Sequence, residues 1–242
     1  MFITFRKWTV YYLFCLLVLV VVFTLITRQG TAVQTAVKTS LLEYPPTLII
    51  DPGHGGEDGG AVASDGTIES HINLCIASTA ADLARFLGWK VVMTRTEDIS
   101  IHDNNATTLR EKKVSDLKNR VAICNSIKNS TLISIHQNSI PAAKNVRGAQ
   151  VFFNEIDRSS DLAQMVQKSL NQTLNIGYAK ECKQMGESNY LLRNVEIPAI
   201  LIECGFLSNQ AETQLLKTHE HQIKISLCVI CAVTNYFSAD GK

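Results

Sequence analysis

The stretch Leu48-Ile49-Ile50-Asp51-Pro52-Gly53-His54-Gly55-Gly56-Glu57-Asp58-Gly59-Gly60 carries the reading of the fold. Three apolar, β-forming residues stop at Asp-Pro-Gly, which reads as a strand broken by a turn. The glycines around His54 let the backbone turn sharply and let another group approach closely. Without a Gly-Lys-Ser/Thr ending, the loop lacks the signature of a phosphate cradle. Further on, Ile72, Ile76, Ala80, Leu83 and Leu87 recur at helical spacing, which predicts a helix over 69–87 closed by Gly88. Strands are then expected at 90–94, 132–135, 150–153 and 199–202, and helices at 117–127, 161–174, 210–217 and 220–236, with Ser159 or Ser160 capping the helix over 161–174. Such alternation implies an α/β fold: a single domain with a twisted, mostly parallel sheet and helices on both faces.

The rest of the 242-residue chain is consistent with one folded domain. Lys and Arg number 23 against 22 Asp and Glu, a net charge of +1 that gives no electrostatic reason to expect nucleic acid as a partner. A hydrophobic fraction of 46% excludes a disordered chain. Residues 8–27 carry no charge and follow Arg6 and Lys7. As a helix this run is about 30 Å long, one bilayer core, so 1–27 reads as a signal anchor or signal peptide that places the remainder outside the cytoplasm. A retained anchor is favoured, since no small-x-small cleavage site stands out. Residues 28–46 read as a stem linker, 47–237 as the folded domain and 238–242 as a C-terminal tail. The seven cysteines do not form a disulfide framework. Cys228 and Cys231 are spaced as a C-x-x-C, but their apolar helical surroundings argue for core packing.

In open α/β sheets the chemistry gathers beyond the carboxyl ends of the strands. His54, His136 and Glu203 each follow an apolar strand run, and Glu69 opens the first helix on the same side. Two imidazoles and a carboxylate with one open position form the ligand set of a catalytic zinc, and a second carboxylate can carry the proton. An acid in a first helical turn is also ordinary dipole stabilisation, and His71 competes with Glu69 as a ligand. Asn138 is a candidate to orient His136 or to contact substrate, and Arg193 to meet a substrate carboxylate. Arg120 reads as a surface or loop-bracing residue, and His102, His219 and His221 as bystanders.

Residues 50–61, Glu69, Ser134-Ile135-His136-Gln137-Asn138 and 201–209 with Glu203-Cys204-Gly205-Phe206 together resemble the zinc-dependent N-acetylmuramoyl-L-alanine amidases of the amidase 3 type. The likeness runs in order through nearly all of 47–237. It implies that His54, Glu69 and His136 bind Zn2+ and that Glu203 is the catalytic carboxylate. The implied reaction is hydrolysis of the amide between muramic acid and L-alanine in peptidoglycan. A short chain with one apolar N-terminal segment and no wall-binding repeats is most similar to the spore-cortex germination amidases, which implies muramic-lactam formation and an activating lipoprotein partner. The polar stretch 96–113 lacks the apolar face of an autoinhibitory plug and reads as a substrate-side loop. Competing readings are a cysteine hydrolase using Cys204 with His136, and a non-catalytic or partner-dependent peptidoglycan-binding protein. Strand alternation turns Cys204 away from the side that Glu203 faces.

Overall fold

A computed structural model describes residues 46–186 and 189–240, together with Leu16. The chain runs β1 (Thr47–Pro52), α1 (Glu69–Phe86), β2 (Val91–Met93), α2 (Leu109–Ser126), β3 (Ser130–Asn138), β4 (Gln150–Phe153), α3 (Ser159–Thr173), β5 (Lys183–Gln184), α4 (Tyr190–Asn194), β6 (Ala199–Phe206), α5 (Gln210–Leu216) and α6 (His219–Asp240). One six-stranded sheet has the order β2-β1-β3-β6-β4-β5. The block β2-β1-β3-β6 is parallel, and β4 runs antiparallel to β6 with β5 parallel to β4. The α/β class and the mostly parallel sheet are as the alternation implied.

Alternation along the strands divides the core into two layers. Ile49, Leu132, Ala199 and Leu201 pack with Cys124 of α2 and with Leu191, Leu192 and Val195 from α4 and the turn after it. On the other side α1 lies against β1 and β3, α3 lies against β4 and β6, and α6 bridges α1 and α3. Ile76, Ala80, Val166, Leu170, Val229 and Val233 are all buried in these helices. Each fully buried Leu, Ile or Val contributes roughly 1.5–3 kcal/mol, so both layers hold the sheet.

Several boundaries differ from the sequence reading for physical reasons. Helix α2 begins at Leu109, eight residues before the expected start, because Thr108 and Glu111 form a reciprocal capping box. Ser159 and Ser160 do not cap α3. Its N-cap is Arg158 in a left-handed conformation, while the Ser159 hydroxyl donates to Asn154. β3 and β6 extend through His136 and Glu203, so both side chains sit within strands. Helix α6 continues to Asp240, past the expected edge of the domain at 237. Of the C-x-x-C pair, Cys228 is buried as expected, but Cys231 is exposed. The expected anchor and stem, 1–46, fall almost entirely outside the described residues, among which no helix is long and apolar enough to cross a membrane.

Candidate active site

Because β1, β3 and β6 are parallel neighbours, their carboxyl ends bring His54, His136 and Glu203 to one edge of the sheet. His136 and Glu203 are direct register partners. Glu69 enters from the loop after β1 as the first residue of α1 and is buried. His54, Glu69 and His136 are the group of described residues able to hold a metal ion, with one ligand atom from each lying within 4.8 Å of the others. Glu69 Oε1 sits 3.4 Å from His54 Nε2 and 3.1 Å from His136 Nδ1. Two ligand atoms on a tetrahedral ion with legs of about 2.0–2.1 Å lie about 3.3 Å apart, so the donor set fits a small divalent cation. The two imidazole side chains remain 20% and 18% exposed, which leaves the cluster open to substrate.

Two of the three ligand candidates, His54 and Glu69, are held by groups behind them. His54 Nδ1 pairs with Asp58 at 2.9 Å, directing Nε2 toward Glu69. Burial alone lowers the imidazole pKa, but the Asp58 and Glu69 carboxylates outweigh it and raise His54 to about 9. Burial opposes ionisation of Glu69, yet the two histidines keep its carboxyl far below the usual range. Glu69 also accepts from the amides of Ala61 and Gln137 and from Asn73. His71 is exposed and paired with Asp98, so the competing ligand lies outside the cluster.

The loop geometry explains two of its glycines. Gly60 has φ +71°, and a Cβ there would stand 2.5 Å from Glu69 Oε2 and 2.7 Å from His54 Cδ2. A Cβ on Gly53 would collide with the His136 ring. Gly60→Ala is therefore expected to lower the unfolding free energy by about 1–3 kcal/mol, measurable by urea denaturation.

Below the loop lies a buried polar brace. Arg120, 2% exposed, donates to Asp51 at 2.5 Å and to Asp116 at 2.6 Å, and also to the carbonyls of Pro52 and His54. Arg95, also buried, donates to the carbonyls of Pro52, Gly53, Ser70 and Glu97. Burial disfavours the Asp51 carboxylate, but Arg120 together with the Thr94 and Ser134 hydroxyls holds its pKa below the usual range. The reading of Arg120 as loop-bracing stands, and its surface placement is corrected. Residues 99–100 pack against Gly55 and Gly56, so part of the stretch read as a substrate-side loop buttresses His54 instead. Lys112 and Lys113 tie α2 to Glu57 and Asp58.

Glu203 differs from every other carboxylate near it. Its Oε2 is enclosed and has no hydrogen-bond partner. Burial pushes its carboxyl up to about 7, against a smaller opposing pull from His136. A raised carboxyl pKa adds stability below its unfolded value of about 4.5, and that stability is lost as pH rises through 7. With chelator present, Glu203→Gln is expected to gain stability relative to wild type between these limits, by up to about 3 kcal/mol. Paired thermal melts at pH 4.5 and 8 check this, since a difference independent of pH contradicts the burial argument. Cys204 is buried, and burial drives its thiol pKa upward, which disfavours a thiolate nucleophile.

Of the remaining candidates, Asn138 stays at this edge of the sheet and Arg193 does not. Asn138 ends β3, and its carbonyl accepts from Leu207. Arg193 is exposed, packs over Tyr190 and lines a cleft with Asn154 and Val195. Asn154 donates to the Ala199 carbonyl at the start of β6, so Arg193 sits at the opposite end of that strand from Glu203. Its position gives no support to a substrate contact at the cluster. His102 pairs with Ser100, and neither it nor His219 nor His221 joins the cluster.

The profile of a family described as N-acetylmuramoyl-L-alanine amidase matches residues 48–235. A germination-specific N-acetylmuramoyl-L-alanine amidase of Bacillus subtilis is 31% identical over 194 residues, covering 80% of this chain and 81% of its own. Among solved structures, the CwlD amidase from Clostridioides difficile, determined in complex with the GerS lipoprotein, superposes with a TM-score of 0.77 at 35% identity. That match covers 81% of this chain and 100% of the other. An N-acetylmuramoyl-L-alanine amidase from Clostridium difficile 630 gives a TM-score of 0.69 at 28% identity, over 80% of this chain and 97% of its own. With the matched region spanning the sheet, the cluster and Glu203, the chain belongs to the N-acetylmuramoyl-L-alanine amidase family, hydrolases of peptidoglycan.

Proposed function

We propose that His54, Glu69 and His136 bind one zinc ion, and that Glu203 is the proton carrier for hydrolysis of the bond between muramic acid and L-alanine. The observation that supports this best is the unpartnered, buried Oε2 of Glu203 in register with His136. A zinc ion bound there supplies a Lewis acid that acidifies water and polarises the scissile carbonyl. Asp58 holds the His54 ring in place, while Glu69 is fixed by two backbone amides, so the ligands need little rearrangement to bind. Glu203, whose carboxyl is pushed upward by burial, can accept a proton from the attacking water and deliver it to the leaving alanine nitrogen within one turnover.

Peptidoglycan lies outside the cytoplasmic membrane, so the catalytic domain acts there. In this reading residues 1–27 export or anchor it, 28–46 form a stem, and the catalytic domain begins at 47. The resemblance to a germination-specific relative supports a role in spore-cortex maturation. The complex of a similar amidase with a lipoprotein supports a partner of that kind for this chain.

The test is digestion of purified peptidoglycan by the zinc-loaded full chain, with and without chelator, followed by identification of new amino termini. New N-terminal L-alanine is expected only in the metal-loaded reaction. Full release after chelation contradicts the zinc assignment, and no release in either arm contradicts the reaction. A lipoprotein partner of this kind is expected to raise zinc retention or turnover above that of the chain alone, and no change on its addition contradicts that part of the reading.

A further inference from the structure

β4 starts at Gln150, directly opposite Glu203 on β6. The connection from β3 to β4, residues 139–149, therefore lies at the same edge of the sheet as His136 and Glu203. It is built against the segment that follows β6. Ile140 N–H donates to Ser208 Oγ, Leu207 N–H to the Asn138 carbonyl, and Asn209 Nδ2 to the Val146 carbonyl. A groove of about 930 Å³ opens between these two segments, walled on its third side by Val62 and Ser64. Val62 follows Ala61, whose amide holds Glu69, so every wall of the groove continues from a segment that carries the cluster or Glu203.

The charge of this groove is one-sided. Lys144 and Arg147 line it, and both are exposed. Arg147 is stacked over Tyr178, with its guanidinium carbon 4.3 Å from the ring centroid, which limits its freedom while leaving its donors available. The acids close by do not line the groove. Glu212 accepts from the amides of Gly148 and Phe206 and also attracts Arg147, and Asp65 accepts from Lys217 and Gln214. Of the two halves of the substrate, the N-acetylated glycan is uncharged along its repeat, whereas the stem peptide carries free carboxylates.

We propose that this groove receives the stem peptide on the leaving-nitrogen side, with Lys144 and Arg147 binding a carboxylate of that peptide. The assignment rests on the amidase reading above. It moves carboxylate recognition from Arg193, at the far end of β6, to the loop that borders Glu203. Fixing the peptide there places the alanine nitrogen at the edge of the sheet, where Glu203 can return a proton to it.

The test uses the zinc-loaded full chain on soluble glycan strands whose stem carboxylates are free, and on the same strands after chemical amidation of those carboxylates. Wild type is expected to show a KM at least tenfold lower for the free-acid strands. K144E/R147E is expected to lose that preference through KM, with kcat within about twofold. K144Q/R147Q is expected to fall between them, and K168E, on the distant α3 surface, to match wild type. Wild-type hydrolysis of both substrates with equal KM, or an undiminished preference in K144E/R147E, overturns the groove assignment while leaving the amidase reading intact. No hydrolysis of either substrate by wild type overturns the amidase reading and the groove with it.

Discussion

Glu203→Gln protein is expected to bind one equivalent of zinc as wild type does, yet to hydrolyse peptidoglycan about 10²–10⁴-fold more slowly. The two halves of this expectation come from separate features. Glu203 is outside the three-residue donor cluster, so its replacement removes no ligand. Among the described residues its Oε2 is the one enclosed carboxylate oxygen without a hydrogen-bond partner, and glutamine keeps its shape while losing the ability to take a proton. Zinc content by elemental analysis and turnover by release of N-terminal L-alanine, measured on the same preparation, check both halves. A variant within tenfold of wild-type rate contradicts the role of Glu203, and a zinc-free variant contradicts the ligand set.

Arg120→Met is expected to cost about 3–5 kcal/mol of unfolding free energy, because removing one member of a buried ionic network leaves the others desolvated and unpaired. Asp51 is fully buried, and Arg120 is the cation that faces it, while the carbonyls of Pro52 and His54 lose a donor at the same time. Since domains of this size are stable by only about 5–15 kcal/mol, much of the margin disappears. Arg120→Lys keeps the charge but cannot serve Asp51, Asp116 and two carbonyls together, and is expected to recover only part of the loss. Guanidinium denaturation at pH 7 measures both variants. A loss below about 0.5 kcal/mol for Arg120→Met contradicts the view that this network supports the His54 loop.

What could be read from the residues alone followed the range of the forces involved. Strand ends at Asp-Pro-Gly, the apolar face of α1, the placement of His54, His136 and Glu203 at strand carboxyl ends and of Glu69 at the start of α1 are local patterns combined with one topological rule, and the structure brings these four to one edge. The capping box at Thr108 and Glu111 is also local, a T-x-x-E signal in a stretch too polar to show an apolar helix face. The brace was not legible in the same way. Asp51 and Arg120 lie 69 residues apart, and nothing in a charged helix pattern says that one arginine turns inward. Arg193 illustrates the reverse limit: its sequence neighbourhood suggests a substrate contact, whereas its place in α4, just before β6, puts it at the end of that strand away from Glu203. Asp58 was within sight, four residues after His54, and its role appears only once the left-handed turn at His54, φ 60°, folds the loop back on itself.

The most direct test of the central claim is anomalous diffraction at the zinc edge from crystals of the zinc-loaded chain. The account predicts one strong peak within about 2.0–2.2 Å of a nitrogen of His54, a carboxylate oxygen of Glu69 and a nitrogen of His136, with the Glu203 carboxylate beside it but not bound to it. A peak ligated by other residues, or fully loaded protein with no peak at this edge of the sheet, contradicts it.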